Sequence, residues 1–290
     1  MEYNWKEYKE QSLDKLKTLI EESGVEPTLA ILQVGSLPES NTYVRNKIKA
    51  CERIGIKPFL YSFSENVTEE FLITIINQLN EDKTINGLFI QLPIPGIKDA
   101  TRIVEAINPI KDVDGLTEKN FASLAYGKHS ITPCTPKGIM EMLKHMNTPL
   151  DGKDVVIIGR SHLVGLPLMH LLLQENATVT ICHSHTENLK DKTKNADVII
   201  TAVGNHKNLI TADMVKEGSV VIDVAISKDN ETGKLYGDAD YESLKEKCSY
   251  ITPVPGGVGQ LTVLELMKNV VEASLYQKKL KDNKTSLIIK

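Results

Sequence analysis

Seven apolar runs alternate with segments of helical periodicity along most of the chain. Runs rich in Val, Ile and Leu that stay apolar on both sides are typical of buried parallel strands, which need helices to cover both sheet faces. The pattern therefore predicts an α/β fold with mostly parallel strands. The runs are TLAILQV (28–34), PFLYSF (58–63), NGLFIQL (86–92), DVVIIG (154–159), ATVTIC (177–182), ADVIITAVG (196–204) and SVVIDV (219–224).

The alternation is interrupted between the third and fourth runs. Residues 108–138 contain the turn-rich sequences NPIKDVDG and ITPCTPKG, which make this stretch too long for a simple crossover. We predict two domains: residues 1–138 form an α/β domain, and residues 139–261 form a Rossmann-like dinucleotide-binding domain. A last helical pattern is predicted to pack back onto the first domain, so that residues 262–290 complete it.

One lysine stands out in the helical stretch TYVRNKIKACERIGI, residues 42–56. At 3.6 residues per turn, Val44, Cys51 and Ile54 share one apolar face, and Lys47 falls on that same face. Its stem could lie along apolar surface while the ammonium reaches water. Alternatively, Lys47 is a partly desolvated amine whose lowered pKa lets it exchange protons near neutrality.

The sequence GRSHLVG, residues 159–165, joins a predicted strand to the helical run LPLMHLLLQ. At such a junction, exposed backbone N–H groups and the helix dipole favour a phosphate group, and glycines let it approach. The spacing lacks the middle glycine of the usual dinucleotide fingerprint, and glycine is also common in ordinary strained turns. The context nevertheless favours a cofactor loop.

The end of the following strand favours NADP over NAD as the cofactor. Enzymes that bind NAD usually carry an acidic residue there, about 20 positions after the glycines. Here the sequence is CHSHT, in which His183 and Ser184 offer donors and no carboxylate would repel a 2′-phosphate. Arg160 lies beside the loop as a phosphate partner. Two more strand ends, at Gly204 and Ile226, should border the same crevice.

Three further features are candidates for contact with a substrate. Gln91 lies at the carboxyl end of a strand, where α/β folds place ligand contacts, although a paired amide would explain it equally well. Asp114 precedes a glycine in KDVDG, which an Asx-turn would also explain. The sequence TPVPGGVGQLT, residues 252–262, combines prolines and glycines as in a rigid loop that a ligand approaches closely.

Composition and charge narrow the class of protein. The 290 residues carry 34 basic and 38 acidic side chains, and a net charge of −4 offers no general attraction to nucleic acid or to an anionic membrane. The four cysteines are far apart and show no metal-ligand spacing. The first ten residues are too polar and acidic for a targeting peptide. We expect a cytoplasmic enzyme that acts on small molecules and uses no metal.

Taken together, these motifs resemble the bifunctional methylenetetrahydrofolate dehydrogenase/methenyltetrahydrofolate cyclohydrolase family, in order from about residue 26 to residue 276. The motifs are ESNTYVRNKIKACERIGI, NGLFIQLPIP, KDVDGLT, TPCTPKGI, GRSHLVGLP, VIDVAIS and TPVPGGVG. The resemblance implies that Tyr43 stacks along the folate and that Lys47 transfers protons in the cyclohydrolase step. It also implies that Gln91 holds Lys47 and that Asp114 grips the amino edge of the pterin.

The resemblance further implies which residues bind the two small molecules. Leu92 and the loop around the double glycine would line the folate, with the loop next to the nicotinamide. It also implies NADP as cofactor, a homodimer formed through the nucleotide-binding domains, and a role in the one-carbon metabolism that serves purine biosynthesis. The implied loop residues are Gly256, Gly257 and Val258, and Pro255 of the same loop is also predicted to line the folate. The implied NADP-binding residues are Gly159, Arg160, Ser161, Gly165, Ser184 and Ile226, and the strand ends described above add His183 and Gly204.

The chain departs from the family pattern at two places. The loop usually continues with proline and methionine, where this sequence has Gln260 and Leu261. The chain also opens with MEYNWKEYKE in place of a short strand and a D-G-K turn.

Three other functions therefore stay open. They are a dehydrogenase with little cyclohydrolase activity, a non-catalytic nucleotide sensor, and an NADP dehydrogenase for another small substrate.

Overall fold

The computed structural model describes residues 3–36 and 38–288. The chain divides into two compact units with a parallel sheet in each, which confirms the predicted α/β class. The three-stranded unit comprises Glu10–Cys134 and Val263–Lys290, and the five-stranded unit comprises Met1–Lys9 and Thr135–Thr262. Within the described part of the chain, no helix is both long and apolar enough to cross a membrane.

The sheet of the three-stranded unit has the order β2-β1-β3, with all strands parallel. The central strand is buried along nearly its whole length, as its continuous apolar sequence predicts. The strands are β1 (Thr28–Val34), β2 (Lys57–Phe63) and β3 (Gly87–Ile90). The helices are α1 (Trp5–Ser23), α2 (Pro38–Ile54), α3 (Glu69–Glu81), α4 (Thr101–Glu105) and α5 (Glu118–Ala125), with most of α10 (Gly259–Ile288).

Helix α3 shows how local sequence sets an element. The Thr68 side chain caps its first turn by accepting a hydrogen bond from the Phe71 N–H, and Leu72 and Ile76 bury one face. At the other end, the buried ammonium of Lys111 donates to three carbonyls at 2.7–2.8 Å. This lysine therefore satisfies the helix's C-terminal acceptors, and burial lowers its pKa.

Helix α10 packs onto the three-stranded unit, as predicted for the C-terminal helix. The Asn269 amide donates to the Val113 and Thr132 carbonyls, both at 2.9 Å. The Met267 sulfur lies 3.6 Å from that of Cys51. Burial raises the pKa of the Cys51 thiol to about 12, which leaves it an unreactive core residue.

The sheet of the five-stranded unit has the order β10-β7-β6-β4-β5 and is also parallel. The chain passes to one side of β4 to form β5 and then to the other side for the remaining strands, which creates a switch point at the carboxyl end of β4. The strands are β4 (Asp154–Ile158), β5 (Thr178–Cys182), β6 (Val198–Thr201), β7 (Val220–Asp223) and β10 (Tyr250–Ile251). The helices are α6 (Cys134–His145), α7 (Gly165–Gln174), α8 (Leu189–Thr193) and α9 (Tyr241–Leu244).

All seven apolar runs form strands, but several smaller elements were not predicted. Strand β10 has only two residues, and a short hairpin pairs β8 (Ser227–Lys228) with β9 (Leu235–Tyr236). Among residues 3–27, the chain forms helix α1 and no strand. The start of α1 is anchored in the five-stranded unit, since the Trp5 indole donates to the Tyr250 hydroxyl and Tyr8 bonds Glu141.

Candidate functional site

The side chain of Lys47 lies where the helical pattern predicted, on the inner face of α2. Cys51 and Ile54 on that face are buried, whereas Lys47 is half-buried and Tyr43 is 51% exposed. The Lys47 ammonium lies 4.0 Å from the centroid of the Phe89 ring. It is therefore held over an aromatic face and does not extend away from the protein as a snorkelling lysine would.

The Gln91 side chain is the hydrogen-bond partner of the Lys47 ammonium. Its backbone N–H donates to the Leu32 carbonyl at 2.8 Å and so continues the pairing of β3 with β1. Its side-chain oxygen accepts a hydrogen bond from the Lys47 ammonium at 3.1 Å, and its amide nitrogen donates to the Leu92 carbonyl at 2.8 Å. Both ends of the amide are used, so its orientation is fixed.

Phe89 is a site residue that was missed from the sequence. It is 1% exposed and lies two residues before Gln91 on the same strand. Because side chains alternate along a strand, these two residues point to the same side of the sheet and meet the same lysine. The spacing F-x-Q at a strand end was therefore the available signal, but Phe89 reads equally well as a core residue.

The sequence KDVDG uses its two aspartates differently. Asp112 is 1% exposed and accepts hydrogen bonds from the backbone N–H groups of Gly115 and Thr117 and from the Asn120 amide, at 2.8–3.0 Å. It therefore forms the turn, which is the structural role considered above for Asp114. Gly115 has φ +72°, and a Cβ there would lie 2.7 Å from the Ile131 carbonyl oxygen, so the turn requires glycine.

Asp114 is released from turn formation and is half-buried near Lys47. Burial raises the pKa of its carboxyl group, while the positive charge of Lys47 and a contact from the Cys134 thiol at 3.7 Å act in the opposite direction. The three-stranded unit thus brings together an amine, an amide and a carboxylate, with the exposed ring of Tyr43 on the same helix as the amine. Such a set can hold a polar heterocycle and move protons.

The glycines of the loop 159–165 pack against backbone. Gly159 has φ +121°, and a Cβ there would lie 2.6 Å from the Ala202 carbonyl oxygen. A Cβ on Gly165 would overlap the Gly159 carbonyl, so side chains are excluded at both positions. The Ser161 hydroxyl accepts from the Val164 N–H at 3.1 Å, just before α7 begins. The loop thus has the close-packed turn into a helix that phosphate binding needs.

Neighbouring strands bring the other predicted cofactor residues to the same sheet edge. The Gly159 N–H donates to the Cys182 carbonyl at 2.9 Å, which places His183 and Ser184 at the end of the adjacent strand. Arg160 and Ser184 are exposed. Among the described residues, no group of three or more His, Cys, Asp and Glu side chains could hold a metal ion.

Gly204 is positioned by a buried carboxylate that was not predicted. Asp238 is 0% exposed and accepts hydrogen bonds from the Val203 and Gly204 N–H groups and from the Thr201 hydroxyl, at 2.8–3.2 Å. Asp223, at the end of β7, accepts from the Ala225 and Ala239 N–H groups. These carboxylates shape two strand-end loops, but nothing in the sequence separates them from surface aspartates.

The loop around the double glycine lies beside the end of β7. Pro253–Gly259 and Ile226 line one small cavity, together with Asp223 and Val224. A Cβ on Gly257 would lie 2.7 Å from the Pro253 carbonyl oxygen, whereas Val258 is 4% exposed. The Gln260 N–H donates to the Gly257 carbonyl at 3.0 Å, a hydrogen bond that a proline at this position could not make. This hydrogen bond therefore holds the loop in its conformation without a proline at position 260.

Comparisons with known proteins indicate one family over nearly the whole chain. Residues 4–114 match the catalytic domain, and residues 133–278 the NAD(P)-binding domain, of the family described as tetrahydrofolate dehydrogenase/cyclohydrolase. The chain is 49% identical to the bifunctional protein FolD of Agathobacter rectalis, over 91% of this chain and 95% of that one.

Solved structures give the same result. The bifunctional FolD enzyme of Campylobacter jejuni aligns with a TM-score of 0.91 and 43% identity, covering 94% of this chain and 98% of that one. The FolD of Trypanosoma brucei, solved with NADP cofactor and an inhibitor, aligns with a TM-score of 0.89 and 33% identity. That alignment covers 95% of this chain and 97% of the other.

Proposed function

The chain belongs to the tetrahydrofolate dehydrogenase/cyclohydrolase family, and we propose that it performs both reactions of that family's name. It oxidises 5,10-methylenetetrahydrofolate to 5,10-methenyltetrahydrofolate with NADP, and it hydrolyses this product to 10-formyltetrahydrofolate. The folate-binding catalytic domain is assigned to residues 1–138, completed by residues 262–290, and the Rossmann-like NADP-binding domain to residues 139–261. The chain is thus an enzyme of one-carbon metabolism.

For the oxidation, the position of the folate relative to the cofactor matters more than a catalytic base. Loss of hydride from a methylene carbon between two nitrogens leaves a cation that both nitrogens stabilise, and NADP supplies the hydride acceptor when it is bound. The protein must hold the folate with its one-carbon bridge facing the nicotinamide. This role is assigned to Tyr43, which presents an open ring surface, to Leu92, and to Pro255, Gly256, Gly257 and Val258.

The hydrolysis does need proton transfer. Water must lose a proton as it attacks the methenyl carbon, and one ring nitrogen must gain a proton as its bond to that carbon breaks. Lys47 is proposed to carry out both transfers, and Gln91 to position it. The observation that carries this proposal is the 3.1 Å hydrogen bond from the Lys47 ammonium to the Gln91 side-chain oxygen, above the Phe89 ring.

Asp114 is proposed to bind the amino edge of the pterin. That edge presents N–H donors, and a carboxylate is the side chain that accepts from several donors at once. The different contacts of the two aspartates in KDVDG support this role. Asp112 accepts the hydrogen bonds that form the turn, so the Asp114 oxygens are not needed for it. Lys47 then lies near the bound ring system, where its protons are needed.

The residues proposed to bind NADP lie near the carboxyl ends of the strands in the five-stranded unit. Gly159, Ser161 and Gly165 are proposed to approach the phosphates. Arg160, His183 and Ser184 are proposed to bind the 2′-phosphate side, because they offer donors and the sequence CHSHT at the end of β5 contains no carboxylate. Gly204 and Ile226 are proposed to border the nicotinamide half.

A coupled assay tests the two activities together. Purified protein is mixed with methylenetetrahydrofolate and either NADP or NAD, and the absorbances of reduced cofactor and of methenyltetrahydrofolate are followed together. We expect reduced cofactor to form faster with NADP, and methenyltetrahydrofolate to stay below the reduced cofactor. Equal accumulation of both would support a dehydrogenase without cyclohydrolase, and no reduced cofactor with either nucleotide would contradict the function.

A homodimer and a cytoplasmic location are also proposed. β5 is an edge strand of the five-stranded sheet, and Leu173 on the adjacent α7 is 49% exposed, so this edge offers backbone and apolar surface to a second copy. Light scattering on the eluting protein should give twice the chain mass of 32.2 kDa. A single-chain mass at micromolar concentration would contradict the dimer.

A further inference from the structure

The three-stranded unit contains a large cavity at the amino ends of its strands, whereas Gln91 lies just beyond the carboxyl end of β3. Its volume is about 770 Å³, and it lies where β1, β2 and β3 begin, bounded on one side by α10. Strand β1 has seven residues, so the amino and carboxyl ends of the strands are about 20 Å apart. The cavity is therefore distinct from the Lys47 site, and its size is that of a small-molecule site.

Lysines from three separate parts of the chain line this cavity. Lys57 begins β2, Lys83 lies in the turn before β3, and Lys278 and Lys281 lie on α10. Residues three apart on a helix share a face, so the last two point to the same side. Two acidic residues, Glu26 and Asp282, also line the cavity. Four ammonium groups against two carboxylates leave an excess of two positive charges.

The contacts of Lys57, Lys83 and Lys278 leave their charges available to a ligand. Lys278 donates to the Ser23 carbonyl at 2.9 Å, and the Lys57 ammonium lies 5.2 Å from the Phe59 ring centroid. Among the described residues, Lys57, Lys83 and Lys278 form no ion pair. Lys281 is also close enough to the buried Lys111 to repel its charge. Three of the four ammonium charges are therefore not engaged in an ion pair among the described residues, and the lining keeps an excess of positive charge.

The rim between the lysines is rigid and open. The Asn86 side-chain oxygen accepts from the Thr28 N–H at 3.0 Å, and the Thr28 hydroxyl bonds the Thr84 carbonyl, so the strand starts are tied together. Gly24 and Gly55 have φ of +61° and +87°, and nothing lies within 4 Å of a Cβ built on either. A ligand can therefore approach the backbone at both turns.

We propose that this cavity binds a small anion that carries two or more phosphate groups. Lysines that reach the cavity from β2, the turn before β3 and α10 match charges distributed along a molecule better than one compact charge. Lysine ammonium groups also bind phosphate as point charges without demanding a fixed geometry. This assignment uses the basic sequence QKKLK near the end of α10, which the folate and NADP chemistry leaves without a role.

Binding of inorganic tripolyphosphate tests the proposal. Calorimetric titration of the full chain is performed at low ionic strength and with saturating NADP, so that the cofactor loop cannot contribute. The test variant is Lys83→Gln with Lys278→Gln. The control variant, Lys15→Gln with Lys119→Gln, removes the same charge from exposed positions of the same unit that lie outside the cavity.

We expect one tripolyphosphate per chain, affinity that falls with added salt, and binding about tenfold weaker in the test variant than in the control. Hydrogen exchange should show protection of residues 24–28 and 83–86 on binding. Absence of binding to the parent chain would overturn the proposal. An equal loss of affinity in both variants would overturn it too, because it would reveal attraction to overall charge only. Neither result would bear on the folate reactions.

Discussion

The two units build their candidate sites from different materials. In the three-stranded unit, the site consists of side chains: the Lys47 ammonium, the Gln91 amide and the Asp114 carboxyl group. In the five-stranded unit, it consists largely of backbone, at glycines such as Gly159 and Gly165 where a Cβ would strike a carbonyl. The first arrangement can exchange protons, whereas the second can only hold and orient a ligand.

This difference matches the chemistry that is proposed for each unit. Hydrolysis of the methenyl bridge moves protons, and only a titratable side chain can accept and return them. Binding of a dinucleotide needs close approach of N–H groups to phosphate, which any side chain at those positions would prevent. Substitution of Lys47 and substitution in the loop 159–165 should therefore affect different reactions.

The largest effect is expected for Lys47→Met. Removing a general acid and base should lower the cyclohydrolase rate by about 10²- to 10⁴-fold, while at least part of the hydride transfer remains. Lys49→Met, two residues along α2 on the exposed face, is the matched control and should retain both activities. Parallel loss of both activities in a folded Lys47→Met protein would contradict the separation of roles between the units.

Asp223→Asn should change stability and its dependence on pH. Burial raises the pKa of Asp223 to about 6, above the ordinary value of 3.8, so the folded protein retains this proton at pH 5 while the unfolded chain releases it. The contribution of Asp223 to stability is thus greatest below pH 4 and declines as pH rises to 6. Relative to the variant, the parent should lose up to about 3 kcal/mol of unfolding free energy between pH 4 and pH 7.

Urea titration followed by the fluorescence of Trp5 measures this, because Trp5 is the only tryptophan and is buried in the five-stranded unit. Asp213→Asn is the control of opposite sign. Hydrogen bonds from Lys190 and Thr211 lower the pKa of Asp213 to about 2, so its contribution is present above pH 4 and is lost as pH falls toward 2. Similar pH profiles for the two variants would rule out this role for the buried carboxylate.

Gly165→Ala should weaken NADP binding by about 10- to 100-fold, because the added methyl group displaces the Gly159 carbonyl and with it the loop. Hydrolysis of added methenyltetrahydrofolate, which needs no NADP, should be unchanged. Arg160→Gln carries no steric clash and should weaken NADP more than NAD, which keeps the test valid if the alanine variant folds poorly. Unchanged NADP affinity in both variants would refute the assignment of the loop.

The smallest effect is expected for Gln91→Leu. It removes one hydrogen bond to the ammonium of Lys47 and should lower the cyclohydrolase rate by about tenfold, with a smaller effect on NADP affinity. Gln78→Leu, on the exposed surface of α3, removes a glutamine without touching the site. A cyclohydrolase rate equal to that of this control would show that Lys47 does not need its partner.

Much of the fold was predictable because burial leaves a regular trace in the sequence. The apolar runs of β1 and β4 cannot be solvent-exposed, and the position of Lys47 on the inner face of α2 follows from helical geometry alone. Short elements left no such trace. The two residues of β10 pair only because β7 lies beside them, which no periodicity indicates.

The sequence by itself determined the two-sheet architecture, the inward lysine and the glycine loop, since periodicity and the absence of side chains are local properties. Only the tertiary structure decided which carboxylates build the scaffold and which remain available for a substrate. Asp112, Asp114, Asp223 and Asp238 are chemically identical along the chain, and they differ only in the donors that folding brings to each.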